Sequence, residues 1–329
     1  MHTKFLSSMR TLRDARRSRA GRAAIGLTPF DLAQRSWARS IAVYADIPVP
    51  YRPFFEPLQA AGVPFPLVVI APTYEGFLHR ETEKLVCAAS GEVCVLERHG
   101  AKFDVVRYLL PRITCLEVSS VLLDARIKII GLEGDGLVPT STTIRFNAVT
   151  DFLFAPIVAR IRRGEAGSNA APAARSDPFH AWGRDNFKFM NYARRSLVGD
   201  EVTVQAVLQS EIRVGVLSAF GRTYRRTLSP THAAILTDRE LITIEEILPK
   251  GDRERYGGLW GYMPLDRIES LSMTGVQRDL VTLSVELRGG GRRQFQFEPS
   301  AREELAALVG KFTSLKEERS RKAARPSPG

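Results

Sequence analysis

Tyr108-Leu-Leu-Pro-Arg112-Ile113-Thr-Cys-Leu116 and Tyr262-Met-Pro-Leu-Asp-Arg267-Ile268-Glu-Ser-Leu271 decide how this chain is read. Each joins a tyrosine, a proline, an arginine and an isoleucine in the same order. Each follows a hairpin pattern and precedes two alternating strands and one apolar-striped helix. An internal repeat of about a hundred residues is the signature of one small unit written twice, and it bounds the fold more tightly than any single motif.

Outward from the second motif the pattern is clean. Val202–Leu208 reads as a strand. Ala233–Leu236 and Leu241–Ile244 flank the turn Thr237-Asp238-Arg239-Glu240. Val281, Leu283, Val285 and Leu287 alternate with polar residues, as do Phe295 and Phe297. Ser300-Ala-Arg-Glu303 reads as a capping box opening a helix that carries Leu305, Leu308, Val309, Phe312 and Leu315 on one face. Outward from the first motif, Phe65–Ile70 is a strand, and Leu85–Ala88 and Val93–Leu96 form a hairpin around Ser90-Gly91-Glu92. Leu122–Ile130 and Thr143–Phe146 are further strands. Asn147 then caps a helix bearing Val149, Phe152, Leu153, Ile157 and Ile161. Pro156 lies inside that stripe and puts its start and straightness in question.

These elements divide the chain. Residues 1–25 are a basic arm, and 26–61 a helical or irregular segment that packs on the first domain. The first domain spans 62–163, and 164–183 is a small-residue linker. A connecting helix occupies 184–199, the second domain 200–318, and a basic, disordered tail 319–329.

The order of short antiparallel strands closed by one amphipathic helix, with Leu236-Thr-Asp-Arg-Glu-Leu-Ile-Thr-Ile244, Pro264-Leu-Asp-Arg-Ile-Glu-Ser-Leu271 and Phe295-Gln-Phe-Glu298, resembles bacterial pleckstrin-homology (PH-like) and GRAM-like domains. The resemblance covers about 200–318 best and 62–163 more weakly. It implies a mainly β, α+β chain: two partly open β-barrels in tandem, each of two near-orthogonal sheets and capped by a C-terminal helix that plugs one end.

The 329 residues are 44% apolar and carry a formal net charge of +11, which favours anionic partners. Much of that charge sits at the ends. The arm is Arg-rich, Ser-containing and acid-poor. It reads as a membrane contact, a nucleic-acid contact or a disordered tail, and is similar to an organelle transit peptide. No apolar run approaches bilayer length. Three cysteines, Cys87, Cys94 and Cys115, do not make a disulfide framework and read as small core residues of a cytoplasmic protein.

PH-like domains that bind phosphoinositides use basic residues near the first hairpin. The matching loop here holds Arg222, Arg225 and Arg226, candidates for an anion or lipid site because guanidinium forks grip phosphate oxygens two at a time. The alternative is a solvated loop in an Arg-rich protein. Tyr108, Arg112, Tyr262 and Arg267 are repeat-motif candidates. For the two arginines, a stem lying on apolar surface is favoured over ligand contact. Asp238-Arg239-Glu240 reads as a solvated turn. No catalytic residue, cofactor or metal site is expected: no nucleophile elbow, phosphate loop or dinucleotide fingerprint is present, and the histidines are scattered. The expected role is a non-catalytic binding or scaffold protein. Its partner would be a protein or an anionic lipid headgroup, with the chain peripheral at the inner face of the membrane. The alternatives are nucleic-acid association through basic termini, or an enzyme with a site between the domains.

Overall fold

The computed structural model describes residues 37–75, 80–89, 91–132, 139–164, 177–219, 222–248, 257–277 and 280–324. The expected basic arm, most of the linker and the last five residues of the tail lie outside the described residues.

The first half opens with β1 (Arg39–Ile41) and α1 (Arg52–Ala60). It continues with β2 (Leu67–Ala71) and a short hairpin of β3 (Tyr74–Glu75) and β4 (Arg80–Glu81). Next come β5 (Lys84–Ala89), β6 (Glu92–His99) and β7 (Lys102–Leu109). A 3-10 turn, Leu110–Arg112, leads into β8 (Ile113–Val121), β9 (Asp124–Leu132) and β10 (Pro139–Asn147). A 3-10 helix, Ala148–Leu153, and α2 (Ala155–Arg163) close the half.

After α3 (Trp182–Asp185) and α4 (Phe187–Ser196), the second half repeats the order. Its first strand is β11 (Thr203–Gln209), followed by an excursion hairpin of β12 (Ile212–Ala219) and β13 (Arg222–Ser229). Then come β14 (His232–Thr237), β15 (Glu240–Glu246) and β16 (Gly258–Pro264). A 3-10 turn, Leu265–Arg267, leads to β17 (Ile268–Gln277), β18 (Leu280–Leu287) and β19 (Gly291–Phe297). The half ends in a 3-10 turn, Pro299–Ala301, and α5 (Arg302–Ala324). In each half a hairpin leaves between two strands of an antiparallel sheet (after β2 and after β11), the sheet is completed with five strands in the first half and four in the second, a 3-10 turn follows, and a three-stranded meander and a helix close the unit. The chain is mainly β with helices, an α+β protein, and among the described residues none of its sheets closes into a barrel.

The halves are not strung apart. β8, the first strand of the three-stranded meander in the first half, pairs antiparallel with β16 from Gly258↔Ser120 to Tyr262↔Leu116. One seven-stranded sheet therefore runs β10-β9-β8-β16-β15-β14-β11 across both. Gly257 makes the approach possible: its φ is +86°, and an added Cβ would run into the Ser120 carbonyl. β14 and β15 are buried on both faces. Ala234, Leu236 and Leu241 join the core of the second half with Phe295, Phe297, Leu305, Leu308 and Phe312. Ala233, Ile235, Ile242 and Ile244 face the other way, into a core shared with β5, β6, β9, α2 and α4. β8 splits likewise, Cys115 into the second core and Leu116 into the first.

Several expectations are corrected. Pro156 cannot sit in a helix interior without losing a backbone bond. The chain instead makes a 3-10 helix capped by Asn147, whose Oδ1 accepts from the Val149 N–H at 3.1 Å, and α2 starts afresh with Pro156 in its first turn. Ile157 and Ile161 are buried as expected, but Val149 and Phe152 turn out to solvent. Ser300 lies within a 3-10 turn, so the capping box is not formed and α5 begins at Arg302. α5 then runs to Ala324, so residues 319–324 are helix rather than disordered tail. The end of the expected linker is core, with Phe179 fully buried and α3 beginning at Trp182.

The turn expected to be solvated holds the largest correction. Glu240 is buried with Arg162 of α2 and with Glu201. Arg162 Nε donates to Glu240 Oε1 at 2.8 Å, and Nη2 donates to the Ser196 carbonyl at 2.7 Å and to Glu201 Oε2 at 3.2 Å. Its guanidinium carbon lies 3.9 Å from the centre of the Tyr262 ring. Thr237 Oγ1 donates to Glu201 Oε1 at 2.6 Å, and the Val198 N–H reaches Glu201 Oε2 at 3.1 Å. Burial works against the charge of Arg162, but Glu240, Tyr262 and Glu201 more than offset it and hold its pKa above the ordinary value. Glu240 goes the other way. Burial, with Glu201 beside it, outweighs Arg162 and lifts its pKa from 4.5 to about 7, and its Oε2 has no hydrogen-bond partner.

Candidate functional site: one end of the shared sheet

Register fixes which parts of the chain meet at each end of the seven-stranded sheet. Ser119, Leu259, Glu245, His232 and Gln209 form one row across β8, β16, β15, β14 and β11. Just beyond that row lie the β8–β9 turn, the 3-10 helix Ala148–Leu153 after β10, and the root of the β12–β13 hairpin. At about 4.8 Å between strands, the tip of β8 and the start of β14 stand roughly 14 Å apart.

The turn and the 3-10 helix carry an apolar surface. Leu122 is 69% exposed, Leu123 62%, Phe152 64% and Val149 49%. The Ala148 N–H donates to the Leu123 carbonyl at 3.0 Å, which holds the turn against the 3-10 helix. Val149 and Phe152 share a side because a 3-10 helix repeats every three residues. Leu122 has φ +53°, the one non-glycine residue in the left-handed region among the described residues. An L side chain there costs roughly 1–2 kcal/mol, and such strain collects at functional positions. Beside the patch, Asp124 accepts from Arg145 Nε at 2.6 Å and from Arg126 Nη2 at 3.0 Å. Two guanidiniums on one carboxylate leave a positive charge next to the leucines.

On the other side of the same end is the root of the hairpin that carries the predicted anion candidates, Arg226 three residues from that root and Arg222 at the hairpin's tip. They occupy a strand rather than a loop: Arg222 pairs with Ala219, Arg225 with Gly215 and Arg226 with Val214 in the β12–β13 hairpin. Arg226 is exposed, while the side chains of Arg222 and Arg225 lie outside what is described. Their spacing differs from a loop cradle, because adjacent strand positions alternate in facing.

The repeat-motif candidates separate. Aligning the 3-10 turns Leu110–Arg112 and Leu265–Arg267 puts Arg112 opposite Arg267, but Tyr108 opposite Met263. Tyr262 is thus one residue out of register, and in a strand that reverses the face. Tyr108 enters the first core, its hydroxyl 2.8 Å from Thr142 Oγ1. Tyr262 lies under Arg162 at the junction. Arg267 is half-buried and pairs with Asp266 at 3.1 Å, and Arg112 is half-exposed. Neither tyrosine reaches the sheet end.

His232, in the end row, is buried against Phe297 with ring centres 4.6 Å apart. Burial lowers its pKa, and a bond from Nδ1–H to the Pro230 carbonyl at 2.8 Å fixes the neutral tautomer. Among the described residues no three His, Cys, Asp or Glu side chains gather as a metal site, and no helix is long and apolar enough to cross a membrane. Sequence reasoning missed the Leu122-Leu123 tip. The available signal was two leucines standing where a turn between alternating strands calls for polar residues. Comparison with models of known families and with curated proteins finds no match.

Proposed function

We propose that the chain is a non-catalytic docking protein built from two PH-like units, and that it binds an anionic membrane surface with the end of its shared sheet. The shared order of the halves, an antiparallel sheet interrupted by a hairpin and then a three-stranded meander and a terminal helix, supports the PH-like reading. The observation that carries the membrane reading is the apolar tip Leu122-Leu123 with Val149 and Phe152, at the sheet end from which the arginine-bearing hairpin leaves. Apolar side chains entering the headgroup boundary and nearby arginines attracted to anionic lipid, at about 1 kcal/mol each, act on the same surface. The raised-pKa carboxylate at the junction does not support an enzyme, because Glu240 and Glu201 are sealed from solvent.

The test is cosedimentation of the full chain with vesicles of phosphatidylcholine alone and with added phosphatidylserine. Binding should require the anionic lipid, weaken with salt, and be lost in L122D/L123D while Arg226→Glu weakens it. A wild-type chain that stays in the supernatant, or a double variant that binds as well as wild type, overturns the reading. Recovery of binding only on a nucleic acid or a protein partner would also refute it.

A further inference from the structure

Cys87 of β5 and Cys94 of β6 are direct register partners in the antiparallel hairpin. Directly opposed residues share a face, with Cα atoms about 4.5–5.5 Å apart. That span falls inside the roughly 4.4–6.8 Å that a disulfide bridges. Both cysteines line one cavity of about 220 Å³ between the outer face of the sheet and α1, which contributes Phe54, Phe55, Pro57 and Leu58. Cys87 is nearly covered and Cys94 is half-exposed. Arg107 of β7 is the register partner of Cys94 on its other side and also lines the cavity. Its charge favours the Cys94 thiolate, although burial dominates and lifts Cys94 to about 11 and Cys87 to about 12. Cys94, the more exposed of the two, is the sulfur that a solute in the cavity meets first. Cys115 is fully buried in the core of the second half, away from this face.

We propose that Cys87 and Cys94 form an oxidation site, a cross-strand dithiol that hydrogen peroxide entering the cavity under α1 closes into a disulfide. The Cys94 thiolate attacks one peroxide oxygen. The O–O bond breaks, an S–O bond forms, and protonated hydroxide leaves as water, giving the sulfenic acid. The Cys87 sulfur then attacks Cys94, the S–O bond breaks, an S–S bond forms, and a second water carries away the hydroxyl and the thiol proton. Peroxide gains two electrons and each sulfur loses one. Thiolate exchange with a reduced small thiol reverses the product.

Cleavage after Lys84 and Arg98 releases both cysteines in one peptide, residues 85–98. The native full chain is treated with peroxide, quenched, denatured in a thiol-blocking reagent and digested. The expected result is an 85–98 peptide lighter by two hydrogen masses, titratable thiols falling from three to one, and Cys115 blocked as in the untreated protein. Dithiothreitol should restore all three. An 85–98 peptide that keeps its reduced mass, or one that carries sulfinic or sulfonic acid instead of the bridge, overturns the proposal. So does a disulfide involving Cys115. The wild-type experiment stands without any variant, and Cys87→Ala, which leaves Cys94 without its partner, should convert the product to a sulfenic acid trapped by dimedone.

Discussion

Glu240→Gln tests the account of the junction most directly. In the folded protein two carboxylates, Glu201 and Glu240, share one guanidinium, and all three side chains are buried. Burial and Glu201 raise the Glu240 pKa from 4.5 to about 7. Between those values the native state holds a proton that the unfolded chain has released. The contribution is complete below pH 4.5 and is lost as pH rises toward 7, because stability falls with pH wherever the folded state binds more protons. The interval from 4.5 to about 7, at ~1.4 kcal/mol per pH unit, sets a ceiling of about 3 kcal/mol. Glutamine keeps an acceptor for Arg162, puts an amide donor where Oε2 has no partner, and removes the second charge. The variant should therefore be more stable than wild type at pH 8, by about 1–3 kcal/mol, and converge with it below pH 4.5. Urea unfolding followed by tryptophan fluorescence at a series of pH values measures this. Trp260 packs on Tyr192 of α4 at 4.9 Å and reports on the same junction. Two stability curves that run parallel across pH, or a variant weaker than wild type at pH 8, would refute the reasoning.

Gly257→Ala should destabilise the fold by about 2 kcal/mol or more in a thermal melt, because a Cβ at φ +86° meets the Ser120 carbonyl and forces β8 and β16 apart. Leu122→Gly should raise stability by about 1 kcal/mol by relieving the left-handed strain, while lowering binding to anionic vesicles; a loss of both would mean the leucine is held there by packing. His232 works opposite to Glu240: its pKa is lowered by burial, so its contribution is present above pH 6.5 and lost as pH falls, and His232→Gln should flatten the acid limb of the stability curve. Calorimetry should record one unfolding transition rather than two, because the halves share a sheet and a core.

The legible parts of the fold were those with a single apolar face. Val281, Leu283, Val285, Phe295 and Phe297 alternate with polar residues and are buried as the alternation requires, and Leu305, Leu308 and Phe312 of α5 meet them. The junction was hidden because its strands are covered twice. His-Ala-Ala-Ile-Leu-Thr of β14 and Leu-Ile-Thr-Ile of β15 lack alternation, which signals burial on both faces but does not name what covers the second. Arg162 reads as a basic residue suited to a helix C-terminus, and Glu240 as a turn carboxylate; only tertiary packing makes them partners. Tyr262 was misread because a one-residue offset in a repeat is invisible to a motif and decisive in a strand. Val149 and Phe152 fit a helical stripe, and the proline that breaks the helix is what sends them outward.

That last detail ties fold to function. An unbroken helix from Asn147 would carry Val149 and Phe152 on the same stripe as Ile157 and Ile161, which are buried. Pro156 removes the hydrogen bond such a helix needs and gives the 3-10 turn that carries both side chains to the sheet end. The same end is joined to the root of the arginine hairpin by five paired strands rather than by a linker. Two weak attractions carried by one shared sheet and the hairpin rooted in it would add at a smaller ordering cost than separate domains on a flexible tether would incur. The β8–β16 pairing is therefore the feature on which the proposed docking would depend, and it involves neither the leucines nor the arginines that would touch the membrane.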